Sequence, residues 1–145
     1  MKRVTYISLL LILVISSCST KKVEELKEAF KEGVNKSVVD QTLVKVASQL
    51  NKTLPMEVDS ETRLDNTMAL PNKVFQYNYT LVNMLSTEVD TTQLLSFVKP
   101  NVINNIKTNP QMSYFRDNEV SVNYLYKDKE GNFITLLKVT PEEYQ

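Results

Sequence analysis

From Val74 to Met84 the side chains alternate. Phe75, Tyr77, Tyr79 and Leu81 fall on one side, and Gln76, Asn78 and Thr80 on the other. A period of two over this length predicts a half-buried β-strand. Such a strand is stable only when its apolar face is covered by another layer. A second run repeats the pattern: Val120, Val122, Tyr124 and Tyr126 alternate with Ser121, Asn123, Leu125 and Lys127. Asp128 to Asn132 then forms a loop in which Gly131 suits a positive φ, and Phe133 to Val139 reads as the return strand of a hairpin.

The cover comes from apolar positions at helical spacing. Val38, Val39, Leu43, Val46, Ala47 and Leu50 form one stripe, with Ser37 as its expected N-cap and Asp40 in its first turn. Leu94, Leu95, Phe97, Val98, Val102, Ile103 and Ile106 form another, capped by Asp90 or Thr91 and kinked or divided at Pro100. A shorter helix from Val23 to Lys31 carries Val23, Leu26, Ala29 and Phe30 on one side and is expected to end or bend at Gly33. Asn109-Pro110 breaks the chain before a helical turn at Gln111 to Phe115. Thr140 with Pro141 opens a last turn. Met56 to Leu70 reads as extended and pairs with Val74 to Met84 through a turn at Pro71-Asn72-Lys73. The expected fold is α+β: a four-stranded, largely antiparallel sheet from two β-hairpins, packed on one face by two to three helices.

The N-terminus follows a different logic. Lys2 and Arg3 precede a nearly unbroken apolar run from Ile7 to Ile15, then Ser16, Ser17 and the chain's single cysteine, Cys18. That is the layout of a secretory signal peptide, and the run is too short for a membrane-spanning helix of about 20 residues. Ile15-Ser16-Ser17-Cys18 also resembles the bacterial lipobox. The resemblance implies cleavage before Cys18, diacylglycerol on its sulfur and an anchor in a membrane of the cell envelope. Ser19 is compatible with sorting to an outer membrane. The chain thus divides into residues 1–17 as signal peptide, 18–36 as lipidated cysteine, tether and short helix, and 37–145 as one α+β domain. Two or more acyl chains make such an anchor stable, where one binds only marginally.

Composition narrows the function classes. Without Lys2 and Arg3 the mature chain holds 15 basic against 17 acidic residues, so no basic face for nucleic acid is expected. There is no histidine, which removes the commonest general base and the imidazole metal ligand. Two glycines exclude a glycine-rich phosphate loop. No metal and no cofactor is expected. With Cys18 lipidated there is no disulfide, so packing and hydrogen bonds hold the domain.

Two groups stand out as a candidate interaction surface. In an extended Met56 to Leu70, the side chains of Asp59, Glu61, Arg63 and Asp65 share one face at ~7 Å intervals. They read as a surface ion-pair ladder around Arg63, or as a carboxylate pair able to flank a scissile bond. Tyr77, Tyr79, Tyr124 and Tyr126 form two Y-x-Y pairs, either a cross-strand packing set or an aromatic platform for a partner. Asp90-Thr91-Thr92 resembles a short bacterial O-glycosylation acceptor and equally reads as a helix cap.

Leu50-Asn51-Lys52-Thr53-Leu54-Pro55-Met56-Glu57-Val58-Asp59-Ser60-Glu61-Thr62-Arg63-Leu64-Asp65 is followed by Tyr77-Asn78-Tyr79 and, later, by Tyr124-Leu125-Tyr126-Lys127-Asp128-Lys129-Glu130-Gly131. The pattern resembles a group of small bacterial envelope proteins from about Ser37 to Tyr144. The resemblance implies a fold and an address and brings no activity. Members of that group often carry a cysteine pair near the later helix and the C-terminus, which this chain lacks. The leading expectation is a non-enzymatic, membrane-anchored envelope module that binds an envelope protein. An immunity or inhibitor lipoprotein acting on a toxin or cell-wall hydrolase is the alternative, and a carboxylate-based glycan hydrolase is the third reading.

Overall fold

The computed structural model describes residues 20–145. Residues 1–19, with the expected signal peptide and Cys18, lie outside the described residues. Contacts divide the chain into Met1–Asn35 and Lys36–Gln145. Helix α1 spans Thr20–Leu50, so the expected break at Gly33 and the cap at Ser37 are both absent. Glycine costs a helix about 1 kcal/mol relative to alanine. A single exposed glycine in so long a helix does not offset the hydrogen bonds on either side of it. In the first unit Phe30 and Val34 are exposed.

The second unit is an α+β fold on a five-stranded sheet, ordered β1 (Met56–Glu57), β2 (Thr62–Leu70), β3 (Val74–Leu81), β4 (Ser121–Lys127) and β5 (Phe133–Val139). The expectation of four strands is corrected in one place. Met56 to Leu70 is not one strand, because it turns at Val58 to Glu61 and pairs back on itself, Met56 with Leu64 and Glu57 with Arg63. Both hairpins are present, β2–β3 and β4–β5, each antiparallel. They join through a parallel seam between β3 and β4. The crossover that makes the seam parallel is α2 (Thr91–Thr108), a 3₁₀ turn at Pro110–Met112 and α3 (Ser113–Asp117). It returns the chain to the start of β3, where Ser121 N–H donates to the Lys73 carbonyl at 2.9 Å.

Pro100 lies inside α2 and does not divide it. The Asp90 carboxylate caps α2, accepting from the N–H groups of Thr92 and Gln93 at 2.9 and 3.0 Å. At its other end the Arg116 guanidinium donates to the carbonyls of Ile106 and Asn109 at 2.5 and 2.9 Å, a cation where the helix dipole is negative. Asp40, expected to serve the dipole of its own helix, instead accepts from the N–H groups of Asn72 and Lys73 at 3.3 and 2.7 Å. Those two residues have φ of 71° and 57°, so the carboxylate binds the N–H groups of a left-handed turn.

Val39, Leu43 and Ala47 from α1, Ile106 from α2 and Phe115 from α3 share one core with Phe75, Leu81, Val120, Val122, Leu137 and Val139. The apolar face read in β3 and β4 faces this core, but the opposite face is covered too: Asn78, Thr80 and Asn123, expected outward, are buried, while Tyr77 and Tyr79 are half-buried. In β2 the alternation fails at one point. Leu64 opposes Tyr79 and Asn66 opposes Asn78, leaving Asp65 as a bulge. One extra residue reverses the parity of every side chain beyond it. Thr67, 2% exposed, and Ala69 therefore face the core, while Met68 is exposed. The C-terminal α4 (Pro141–Tyr144) is pinned by the Tyr144 hydroxyl, which donates to the carbonyls of Val120 at 2.8 Å and Phe115 at 3.3 Å.

Candidate interaction surface

The parallel register sets Tyr77 beside Tyr124 and Tyr79 beside Tyr126. Their rings stack in a zigzag, with centroids 5.5 Å apart for Tyr77–Tyr124, 6.4 Å for Tyr79–Tyr124 and 5.3 Å for Tyr79–Tyr126. Phe75 extends the row, 5.1 Å from both Tyr77 and Phe115. Tyr124 and Tyr126 are buried and Tyr77 and Tyr79 half-buried. These four residues are thus brought together as one packed row, Tyr124 and Tyr126 in the core and Tyr77 and Tyr79 against it. Burial pushes the Tyr79 phenol from its ordinary 10.0 up to about 12. Burial and neighbouring tyrosines raise Tyr77 and Tyr124 further. On Tyr126, burial, Tyr79 and the Asp59 carboxylate act in the same direction.

The acidic stretch does not form a ladder. Asp59 and Glu61 stand in the connection before β2, whereas Arg63 and Asp65 are in β2. Equal two-residue spacing holds only along an unbroken strand, and the turn ends it. Asp59 Oδ1 accepts from the Glu61 N–H at 2.8 Å. The Asp65 carboxylate is shared: Arg63 Nε donates to one oxygen and the Thr80 hydroxyl to the other, each at 2.6 Å. The Arg63–Asp65 half of the expected ion pairing is present, and Asp59 and Glu61 take no part in it.

A groove lies between this connection and the start of α2, with a volume of about 430 Å³. Leu81, Met84, Val89, Leu94 and Phe97 supply its apolar lining, and Glu61, Glu88 and Asp90 its carboxylates. Phe97 was expected in the core with the rest of α2, yet it is 73% exposed. Leu94, Leu95, Val98, Val102 and Ile103 pack inward, and Phe97 lies off that stripe. The apolar arc of α2 is wider than one packing face, and that width is the sequence signal for an uncovered Phe97. The loop facing α2 is held firmly. Val82 N–H donates to the Glu61 carbonyl at 2.9 Å, and Asn83 Nδ2 to the Ser60 carbonyl and Glu61 Oε2 at 3.1 and 3.0 Å.

Behind Met84, Asp128 joins two loops. Its carboxylate has no solvent exposure and accepts from Ser86, Glu130 and Asn132 N–H and from Asn132 Nδ2, at 2.8–3.0 Å. Burial opposes its charge, but the Asn132 side chain and the three N–H groups outweigh burial and hold the carboxyl well below the usual range. Among the described residues, no group of three cysteine or carboxylate side chains is placed to hold a metal, and no helix is long and apolar enough to cross a membrane.

The pattern of one protein family, described as Domain of unknown function (DUF8479), matches residues 37–135. No curated protein matches the chain. Three solved structures share the fold. A Pseudomonas aeruginosa protein classed as secreted has a TM-score of 0.65 at 8% identity, covering 77% of this chain and 96% of its own. The type 2 secretion system pilotin EpsS of Vibrio vulnificus has 0.62 at 14% identity, covering 78% and 97%. The type II secretion system pilotin AspS of Vibrio cholerae has 0.59 at 15% identity, covering 77% and 97%.

Proposed function

The chain belongs to the DUF8479 family, and we propose that it is a non-enzymatic envelope lipoprotein that binds another envelope protein and serves the assembly of a secretion or surface apparatus. The observation that carries this reading is the fold, shared over more than three-quarters of the chain with two type II secretion pilotins. The lipobox-like Ile15-Ser16-Ser17-Cys18 supports an anchor through Cys18, and Ser19 is compatible with an outer-membrane address.

The carboxylates give catalysis little support. Asp59 and Asp65 do not act as a pair: Asp65 is committed to Arg63 and Thr80 and Asp59 to its own turn. The acidic groove rim instead favours a second reading, an inhibitor or immunity lipoprotein presenting carboxylates to a basic cleft.

Crosslinking and capture of the full chain from its own envelope, with Cys18→Ser as control, tests the proposal. One dominant envelope protein, lost when Cys18→Ser releases the chain from the membrane fraction, is the expected result. A captured toxin or hydrolase whose activity falls on binding decides for the second reading. No enriched protein, or a Cys18→Ser chain that stays in the membrane, overturns the anchored module.

A further inference from the structure

We propose that the groove between the β1–β2 connection and the first turns of α2 receives a cationic amphipathic segment of a protein partner. This inference rests on the binding-module reading and assigns the contact surface and the chemistry of what it binds. Three observations lead to it.

The first is chemical asymmetry. Three carboxylates, Glu61, Glu88 and Asp90, line the groove, and no lysine or arginine does. Each already accepts a hydrogen bond, from Asn83 Nδ2, Leu85 N–H and the capped N–H groups of α2 respectively. These bonds fix the carboxylates in place and leave their charge for an incoming cation. Nearby anionic surfaces, lipid headgroups or nucleic acid, are repelled by the same charge.

The second is exposed apolar area at the same place. Phe97 is 73% and Met84 37% exposed, above a floor of Leu81 and Leu94 that belongs to the core or packs on it. An exposed aromatic beside charged residues on a rigid element is the composition of an interface anchor. The opening, about 430 Å³, admits a few side chains and not a folded domain. A segment with apolar and basic residues on one face satisfies both the floor and the rim.

The third is preorganisation. The loop opposite α2 is fixed by the Val82 and Asn83 bonds to Ser60 and Glu61. From behind, Ser86 N–H donates to Asp128 at 3.0 Å and Lys129 N–H to the Met84 carbonyl at 3.1 Å. A groove already held in shape loses little entropy on binding.

The test uses the full chain with two labelled synthetic peptides, a short leucine–lysine amphipath and its leucine–glutamate counterpart, titrated by fluorescence anisotropy at low and high salt. The leucine–lysine peptide is expected to bind about tenfold more tightly, with affinity falling as salt rises. Phe97→Ser, and separately the pair Glu61→Gln with Glu88→Gln, are each expected to weaken it about tenfold. The glutamine pair keeps both hydrogen-bonding side chains and so reports charge alone. Equal binding of the two peptides, or native affinity in both variants, overturns the groove assignment. The same variants in the envelope capture separate the two claims. A partner captured at native level by both variants docks elsewhere, so the groove falls and the module stands. A native chain that captures nothing removes the module.

Discussion

The Asn51 carboxamide pairs with the backbone of Thr67 in both directions: Thr67 N–H donates to Asn51 Oδ1 at 2.7 Å, and Asn51 Nδ2 donates to the Thr67 carbonyl at 2.9 Å. One side chain thus does what a neighbouring strand would do. β1 reaches only Arg63 and Leu64, and beyond it the outer edge of β2 has Asn51 as a substitute partner. At Thr67 the edge is thereby occupied and is not free to pair with another strand. Asn51→Ala is expected to destabilise the domain by about 1–3 kcal/mol, since it strands both backbone groups of a buried residue. Asn51→Asp keeps the acceptor, loses the donor and falls between. Urea titration of the three chains followed by circular dichroism checks the order.

The aromatic row makes stability fall in alkali. Tyr79 is raised from 10.0 to about 12, so between these values the unfolded chain releases its phenolic proton while the folded chain retains it. Stability is therefore whole below about pH 10 and declines toward pH 12. Phenolate absorbance is expected to appear together with the loss of circular dichroism, not ahead of it, for these tyrosines. Phe75→Ala, at the fully buried end of the row, is expected to cost about 3–5 kcal/mol.

Asp128 acts in the opposite direction of pH. Its carboxyl is depressed below the ordinary 3.8, so its contribution is present above that value and disappears as pH falls below it. Asp128→Asn removes that pH dependence and lowers the thermal midpoint at neutral pH, because an amide has one acceptor oxygen for four donors. Thermal scans of both chains from neutral pH down to acid show the midpoints converging if the bonds described are the cause.

Arg63 and Asp65 are expected to behave unequally although they are one ion pair. Arg63→Ala costs at most about 1 kcal/mol, since its side chain is 42% exposed. Asp65→Ala costs more, because it also strips the buried Thr80 hydroxyl of its partner at 2.6 Å. A double-mutant cycle on the two positions measures the difference.

Local chemistry was legible in the sequence wherever a rule acts within a few residues. The alternation of β3 and β4, the Asp90 cap, the Gly131 turn with φ of 87° and the β4–β5 hairpin all follow from periods and side-chain reach within one segment. What stayed hidden depends on contacts between segments. Parity across the Asp65 bulge is set by pairing with β3. The parallel seam exists because α2 and α3 carry the chain back to Lys73. Asp40 left its own helix dipole because the left-handed Asn72-Lys73 turn presents two N–H groups to it. The groove was the least legible feature. Its walls come from residues 61–62, 81–90 and 93–97, three segments that only folding brings together. Periodicity specifies which faces a chain must bury. Which segment buries each face, and which apolar residues remain uncovered, is decided by the packing of the whole sheet.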